Sequence, residues 1–489
     1  MSIIAKKEYS TINQFQNDIH ECDGPKCEIA SLCYQQPYKS YWYSLCQEIL
    51  SSIEGSENHI SYKLNNAFQF LLSTRISQKF PEMRVAPAYE GKVRICWPHN
   101  VAINILLSCE LLYGTQRIMG FDVHYGNIHP QFSMKFNYTD RFPIDVGNIS
   151  CIENWSSWFP SFITDYDLPL SYSDDTSLGF PIWRFNSNDQ IIHSIDYIRD
   201  ISKIIRMQEL IDGEWTNIKP NMSYLMSSTF RLDKPEIWGE YSCHIDKELN
   251  EHRCNGEYKI YYTDIINIDD INDIPAGKSV QLPLVCSAPC LGIYWTAELA
   301  EATQYNNLGN YSNNIDSVYK GSDPIITNTL MYGTDKVFKD VPSYVFNSSV
   351  PRKHARSIPF EPGYHLWALN SYVDDILPSK GVIFTPDLGV TLKVDFRQPS
   401  SNAIKIVSES SFSQRIFDEN PKLSMRDSDL TSEKETHSQM SSRFKKLQSV
   451  KENESENYKL HVRLKCQRCM TFTPEGNGPN PTYTVKLSD

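Results

Sequence analysis

Short stretches in which hydrophobic and polar residues alternate dominate the chain, and Asn, Gly, Pro and Asp separate them. Residues 61–234 contain GKVRICW and SYLMSSTFRL, for example, and residues 235–398 contain SVQLPLVC, LGIYWTAEL and VTLKVDF. Most of these stretches have the usual length of a β-strand, about 5 to 8 residues. Repeated short strands with turn formers between them are typical of sandwiches and barrels. The pattern therefore predicts two β-rich blocks, each long enough for one eight-stranded sandwich with embellishments.

Two segments instead repeat their apolar residues at the three- and four-residue spacing of an amphipathic helix. In residues 40–53 the apolar positions include Trp42, Leu45 and Ile49, so we predict one helix there. Residues 191–211, IIHSIDYIRDISKIIRMQELI, predict a second helix that covers the end of a sheet.

Residues 1–60 and residues 399–456 differ from the two blocks of alternating strands in this interpretation. Residues 1–60 are interpreted as an N-terminal arm that carries the first helix, and it either packs on its own domain or reaches a neighbouring subunit. Residues 399–456 are polar, mixed in charge and rich in Ser, and strand character returns after them in YKLHVRLKC. Because such a composition cannot bury much surface, we predict an exposed, partly disordered insertion loop inside the second block, 235–489.

Composition supports the β interpretation and narrows the functions available. The 489 residues include 28 Tyr and 22 Phe, and 40% of the chain is hydrophobic, which is enough for substantial cores. The net charge is −12, so a surface that follows the phosphates of a nucleic acid is not expected. No bilayer-spanning stretch and no secretory signal are visible, so the 13 cysteines are expected to be free thiols in a reducing compartment.

The sequence carries no recognisable catalytic motif, since it lacks a phosphate-binding loop, a GxSxG elbow and an HExxH zinc motif. The tightest metal-like group is formed by Cys243, His244, His252 and Cys254. Its spacing matches no standard zinc pattern, and its first two members would face opposite sides of a strand. We therefore predict no catalytic, cofactor or metal site.

Three further pairs of reactive side chains are interpreted as structural. Cys466 and Cys469 form a lone CxxC after a strand, without the second pair of a zinc ribbon, so buried free cysteines are expected. The adjacent aspartates at 269–270 and at 374–375 lie where turns are expected. Turn residues are a simpler explanation for them than acid–base catalysts.

Four stretches of the second block resemble, in the same order, the second jelly roll of the major capsid proteins of nucleocytoplasmic large DNA viruses. The last of these four stretches begins at Tyr364 and reads YHLWALNSYVDDILPSKGVIF. It is an aromatic strand followed by a Pro-Ser-Lys-Gly turn and another strand. The three upstream stretches are EIWGEYSCHIDKELNEHRC, SVQLPLVCSAPCLGIYW and LMYGTDKVFKDVPSYVFNSSVPRKH. These four stretches, the landmarks of the resemblance, fall within residues 236–396. The first jelly roll is inferred separately, from the size and strand density of the first block.

The resemblance implies an all-β protein made of two consecutive eight-stranded antiparallel jelly-roll sandwiches, a double jelly roll with an N-terminal helical arm and long loops. Residues 61–234 would form the first jelly roll and residues 235–489 the second. Several aromatic residues would then anchor either a core or a subunit interface. These expected anchors are Trp238, Tyr294, Trp295, Tyr364 and Trp367.

The resemblance also implies a structural virion protein and not an enzyme. A major capsid protein of this kind would form trimers, and its pseudo-hexagonal capsomers would tile an icosahedral shell. Expected partners are further copies of the chain, penton and minor capsid proteins and the surface of an inner membrane, without direct contact with nucleic acid. Assembly is expected in the host cytoplasm.

Two other functions stay open at this point. The chain could be a divergent minor capsid or scaffold-type jelly-roll protein, because its first block matches the family less closely than its second. A carbohydrate-binding β-sandwich protein is the other alternative, although a carbohydrate-active protein would normally show a signal peptide and a pair of acids at a cleft.

Overall fold

The computed structural model describes residues 33–38, 41–53, 55–64, 70–133, 146–147, 154–170, 179–185, 190–244, 258–374, 381–398, 456–475 and 482–487. Strands predominate in these ranges, and the longest α-helix, Val123–Ser133, has 11 residues. Among the residues just given, none of the helices combines the length and the apolar character that crossing a membrane would require.

Eight strands of the first half pair antiparallel in two sheets. They are β1 (Tyr41–Ile49), β2 (His59–Lys63), β3 (Phe70–Phe80), β4 (Leu106–Tyr113), β5 (Gln116–Asp122), β6 (Phe162–Asp167), β7 (Ile191–Tyr197) and β8 (Glu236–His244). One sheet has the order β1-β8-β3-β6 and the other the order β2-β7-β4-β5. The first strand of the set thus lies beside the last, which is the Greek-key connectivity of a jelly roll.

Eight strands of the second half repeat this arrangement. They are β9 (Tyr258–Pro275), β10 (Ser279–Pro283), β11 (Cys290–Leu299), β12 (Ile325–Tyr332), β13 (Asp335–Pro342), β14 (His365–Ala368), β15 (Val390–Phe396) and β16 (Asn457–Glu475). The sheets have the orders β9-β16-β11-β14 and β10-β15-β12-β13. Counted from the first strand of each half, both halves therefore have the same strand order, so the fold is a double jelly roll.

In the described part of the chain, three shorter strands extend these sheets and six others form two separate three-stranded sheets. The additional strands are Cys33–Tyr38, Ser51–Ile53, Met83–Val85, Val93–Cys96, Trp158–Phe159, Arg206–Ile211, Glu214–Ile218, Leu225–Met226 and Thr482–Leu487. The other α-helices are Val101–Asn104, Ala300–Gln304 and Val350–His354, with a π-helical turn at Val345–Ser349. Single 3₁₀ turns cover Pro87–Tyr89, Ile182–Arg184, Ile201–Lys203, Met222–Tyr224, Val318–Lys320 and Pro386–Leu388.

The helix predicted for residues 40–53 is wrong, because this segment forms strand β1 and the short strand after it. β1 pairs with β8 along its length, and Ile49 lies opposite Trp238. Its aromatic and β-branched residues favour strands, and pairing with a strand almost 200 residues away outweighs the local helical spacing. The predicted helical arm is therefore, in its described part, an integral piece of the first jelly roll.

The helix predicted for residues 191–211 is also wrong. Strand β7 buries every second residue from Ile191 to Tyr197, a 3₁₀ turn follows, and Arg206–Ile211 forms another strand. The spacing of several of the isoleucines fits both a helix and an alternating strand. Isoleucine is β-branched, and β-branched side chains favour strands over helices.

The boundaries predicted between the two blocks also need correction. The sequence predicts that the second block begins at residue 235, which would place strand β8 in that block. Strand β8 instead pairs with β1 and β3 of the first jelly roll. β1 and the start of β2 likewise precede residue 61 and belong to the first jelly roll. The predicted insertion loop, 399–456, lies outside the described residues except for its last position, Glu456.

The hydrophobic core is continuous through both jelly rolls. Aromatic side chains meet across the boundary: the ring centroids of Tyr125 and Tyr294 are 5.6 Å apart, and those of Phe185 and Phe472 are 5.2 Å apart. Edge-to-face pairs of this kind stabilise packing beyond the area that they bury. The two jelly rolls are therefore packed against each other as parts of one folded unit.

Candidate functional site at the junction of the two jelly rolls

The helix that follows β5 carries the first jelly roll's side of the junction. Its N-terminus is capped by Asp122, whose Oδ1 accepts a hydrogen bond from the Tyr125 backbone N–H at 3.0 Å. The other carboxylate oxygen accepts two hydrogen bonds from Arg463 of β16, at 2.6 Å from Nη2 and 2.9 Å from Nε. One carboxylate thus ends a helix of the first jelly roll and pairs with a guanidinium of the second.

Arg463 also binds Asp270 of β9, since its Nη1 lies 2.9 Å from Asp270 Oδ1. Burial alone would lower the pKa of Arg463, but Asp122 and Asp270 outweigh this effect and raise it. Burial likewise tends to raise the pKa of Asp270, yet His461 and Arg463 hold it well below its usual range. Asp270 was predicted to be a turn residue; it lies in strand β9 instead and is fully charged at neutral pH.

Two histidines, one from each jelly roll, stack beside this ion pair. The rings of His124 and His461 lie 3.5 Å apart between centroids, with 17° between their planes. Glu298 of β11 lies next to both, with its oxygens 3.4 Å from His461 Nε2 and 4.0 Å from His124 Nδ1. Tyr311 contacts the same Nδ1 of His124 through its hydroxyl at 3.2 Å.

The surroundings drive the pKa values of these histidines in opposite directions. Burial, together with the neighbouring His461, lowers the pKa of His124 to about 4 against the pull of Glu298 and Asp122. Burial also tends to lower the pKa of His461, but Asp270 and Glu298 outweigh it and raise the pKa to about 9. At neutral pH a neutral imidazole therefore stacks on a protonated one.

Strands β5 and β9 form a second polar contact, centred on the buried Asp264. Its Oδ1 accepts hydrogen bonds from Arg117 Nη2 and from the Gly120 backbone N–H, both at 3.1 Å. Arg468 of β16 lies on the other side, 3.4 Å from Oδ2. Burial raises the pKa of Asp264 although both arginines oppose it.

A third contact joins the far end of the helix to the second jelly roll. Asp374 and Lys465 form an ion pair at 2.9 Å in which each side chain is only 1% exposed. Ser133, at the end of the helix, donates a hydrogen bond to the same carboxylate oxygen at 2.9 Å. Asp374 does lie in a turn, as predicted, but its carboxylate is buried and paired; Asp375 lies outside the described residues.

A loop of the second jelly roll also binds the backbone of the first. Asn306 donates from Nδ2 to the carbonyl oxygens of Ser202 and Ile205, at 2.8 and 2.9 Å. In the other direction Arg206 donates from Nη1 to the Asp316 carbonyl at 3.0 Å. Buried donors and acceptors that are satisfied only in one arrangement fix the relative placement of the two jelly rolls.

The expected aromatic anchors divide into two groups. Tyr294, Trp295 and Tyr364 are fully buried, whereas Trp238 and Trp367 are half-buried. Trp295 donates from Nε1 to Asn328 at 3.0 Å, and Tyr294 packs against the first jelly roll. These positions belong to the core of the single chain, and a role in contacts between subunits stays a prediction.

The cysteines singled out in the sequence also have defined places. Cys466 is a buried thiol on β16, opposite Cys290 of β11, and Cys469 is half-buried on the same strand. The side chains of Cys243, His244, His252 and Cys254 lie outside the described residues.

The charged residues of the junction were not singled out in the sequence, although strand β16 carries a signal. In YKLHVRLKC the polar residues His461, Arg463 and Lys465 alternate with aliphatic ones, which is the pattern of a strand with one solvated face. All three are buried. Arg463 pairs with Asp122 of the first jelly roll, whereas the acids beside His461 and Lys465 belong to the second jelly roll itself.

Comparisons with known proteins agree with this architecture. No protein-family model matches the sequence. The major capsid protein of Wiseana iridescent virus is 20% identical over 367 residues, which cover 70% of this chain and 74% of that protein. The major capsid protein of Simulium iridescent virus is 21% identical over 372 residues, or 70% of this chain and 75% of that protein.

Solved structures with the same fold have very different sequences. PBCV-1 VP54, as fitted into a reconstruction of the virophage Sputnik, matches 93% of this chain and 99% of its own with a TM-score of 0.62 and 10% identity. The Faustovirus major capsid protein matches 89% and 91% of the two chains with a TM-score of 0.58 and 7% identity. With the sequence similarity to the iridescent virus proteins, these matches confirm the resemblance: the chain has the double jelly-roll fold and is similar in sequence to major capsid proteins of iridescent viruses.

Proposed function

We propose that this chain is a major capsid protein that trimerises into pseudo-hexagonal capsomers, and that these capsomers tile an icosahedral shell. The observation that supports the proposal best is the repeated strand order of the two jelly rolls. Three copies of a chain with two similar units place six similar units around a threefold axis. A closed ring of six such units has the outline of a hexagon, which fills a flat facet.

The junction supports this role because a tile must keep a fixed outline. Charged groups of the two jelly rolls meet at Asp122–Arg463 and at Asp264–Arg117, and backbone groups of the first jelly roll are satisfied by side chains of the second. Moving one jelly roll against the other would expose or separate these buried partners, which is costly. The six units of a trimer would therefore keep their shape during assembly.

Exposed apolar side chains are available for contacts between copies. Phe360 is 90% exposed, in the segment that leads from helix Val350–His354 to β14. Tyr344 and Ile358 are exposed in the same part of the second jelly roll's sequence, and interfaces between permanent subunits are enriched in such residues. We propose that Phe360 is covered by a second copy of the chain in the capsomer.

The proposed partners are other copies of this chain, penton and minor capsid proteins and the surface of an inner membrane. Direct contact with nucleic acid is not proposed, since the net charge is −12. Assembly is proposed in the host cytoplasm, a reducing compartment that agrees with buried thiols such as Cys290 and Cys466. The proposed role involves no catalytic step.

The abundance of the chain in purified virions separates a major from a minor capsid protein. Mass-spectrometric quantification against an isotope-labelled standard gives its copy number relative to the other virion proteins. The proposal predicts that this chain is the most abundant protein of the shell. A copy number that fits only the vertices or another special position would instead identify a minor or scaffold-type jelly-roll protein.

A further inference from the structure

We propose that His124, His461 and Asp270 form a binding site for a divalent transition-metal ion, of the zinc class, between the two jelly rolls. One ring nitrogen of each histidine and one carboxylate oxygen of Asp270 lie within 4.8 Å of one another. Each ligand comes from a different element: the helix Val123–Ser133, strand β16 and strand β9. The site would therefore bind the two jelly rolls together, whatever the role of the protein.

The separations are compatible with zinc after small movements of the side chains. Zinc lies about 2.0 to 2.2 Å from nitrogen and oxygen ligands, so two ligands of a tetrahedral site are roughly 3.3 Å apart. His461 Nδ1 and Asp270 Oδ2 already lie 3.0 Å apart. The ligand atom of His124 lies within 4.8 Å of the other two, so it has to move closer by at most about 1.5 Å.

The orientation of His461 is the second observation that points to a ligand. Both of its ring nitrogens are buried, and carboxylate oxygens lie 3.0 and 3.4 Å away, yet neither contact has the direction of a hydrogen bond. A buried polar atom without a directed hydrogen bond is costly. An ion placed between His461 Nδ1 and Asp270 would satisfy that nitrogen.

The groups around the three ligands match the usual surroundings of a metal site. A histidine ligand commonly contacts a carboxylate or hydroxyl through its other ring nitrogen. Here Glu298 lies beside His461 Nε2, at 3.4 Å, and Tyr311 lies beside His124 Nδ1, at 3.2 Å. Arg463 holds the second oxygen of Asp270 at 2.9 Å, which fixes the direction of the carboxylate.

The charge of the cluster also favours a divalent cation. Its members are three carboxylates, Asp122, Asp270 and Glu298, and one guanidinium, Arg463. Apart from the histidines, three carboxylates and one guanidinium leave two negative charges, which one divalent ion would balance. Two imidazoles and one carboxylate suit zinc better than they suit calcium or magnesium, which prefer oxygen ligands.

Equilibrium dialysis against Zn²⁺ tests the site directly. The full-length chain is freed of metal with a chelator, dialysed at micromolar Zn²⁺, and its zinc content is measured by mass spectrometry. We expect about one zinc per folded chain at this site, and an affinity more than about tenfold weaker in the variants His124→Gln and Asp270→Asn. Asp270→Asn is the milder change, because this side chain is 34% exposed.

His365→Gln is the matched control. His365 is a buried histidine of the second jelly roll, like His461, and it contacts one carboxylate, Asp323, at 2.7 Å. This variant should keep the zinc content of the wild type. Cobalt substitution identifies the ligands, because thiolates give an intense charge-transfer band that nitrogen and oxygen ligands lack. The proposal is overturned if the folded wild type binds no more zinc than Asp270→Asn, or if the cobalt spectrum shows that thiols hold the ion.

Discussion

Arg463 of the last jelly-roll strand lies 2.6 Å from Asp122, which caps a helix of the first jelly roll 341 residues earlier in the chain. Both groups are largely withdrawn from water, with 3% of the Arg463 side chain and 14% of the Asp122 side chain exposed. A charge that is buried in this way depends on its partner. The two jelly rolls are therefore coupled by groups that each roll could not bury alone.

Replacing Arg463 with Met should destabilise the folded chain by about 3 to 5 kcal/mol, because Asp122 would stay largely buried without its partner. Urea denaturation followed by intrinsic fluorescence measures the loss. Lys339→Met is the control: Lys339 pairs with Asp340 at 3.7 Å, but both side chains are more than half exposed. This control should change the stability by less than about 0.5 kcal/mol. Equal effects of the two substitutions would show that the junction is not held by its buried charges.

Gly363 should tolerate no side chain. Its φ is +87°, and an added Cβ would lie 2.0 Å from the Tyr311 carbonyl oxygen. Gly213 has a similar φ of +85° but has open space around the same position. Gly213→Ala therefore measures the backbone strain alone, about 1 kcal/mol, and Gly363→Ala should cost clearly more. Thermal unfolding of both variants tests this difference, and similar melting temperatures would refute the close approach.

His193 should make the protein less stable in acid. Burial lowers the pKa of this histidine on β7 from its usual 6.5 to about 3. Between these two values the unfolded chain binds more protons than the folded one. The stabilisation that comes from keeping His193 neutral is therefore fully present above pH 6.5 and is lost as the pH falls towards 3. The loss from His193 at pH 5 is about 2 kcal/mol.

The variant His193→Gln isolates this contribution. Its stability relative to the wild type should improve as the pH is lowered from 7 to 5, even if the substitution is destabilising at both values. Chemical denaturation at several pH values measures the difference. Parallel stability profiles of the two proteins would contradict a neutral buried imidazole at this position.

Phe360→Asp should weaken the contact between copies without harming the single chain. Because Phe360 is 90% exposed, the substitution removes little packing within the monomer, and its unfolding free energy should change by less than about 0.5 kcal/mol. Analytical ultracentrifugation should nevertheless show a shift from trimer to monomer. Phe360→Tyr keeps the aromatic ring and should stay trimeric. A trimeric Phe360→Asp variant would place the interface elsewhere.

The sequence contained enough information for the fold class but not for the element boundaries. The landmarks from residue 236 onwards correctly indicated a double jelly roll, and the strand density of the first half agreed. Helices were expected at 40–53 and 191–211 because the spacing of the apolar residues there fits a helix. Both segments contain strands instead. What decides these segments is pairing with distant strands, which no local pattern contains.

The charged junction could not be predicted for a related reason. Asp270 looked like half of a turn pair, and Arg463 looked like the solvated face of an alternating strand. Arg463 is buried because the first jelly roll packs against it and supplies Asp122, 341 positions earlier in the chain. Asp270 reaches Arg463 from β9, the strand beside β16 in the second jelly roll. Tyr294 and Trp295, two of the expected anchors, are buried in β11, a strand whose residues are all buried, and their role as anchors stays a prediction.

The solution mass of the purified full-length chain, with negative-stain images of the same fraction, tests the proposed capsomer most directly. Three chains of 56.4 kDa give about 169 kDa, and the account predicts a species of that mass that appears as flat hexagonal particles. A well-folded monomer that stays monomeric at high concentration would contradict the trimeric capsomer, and it would favour the minor-capsid or carbohydrate-binding alternatives.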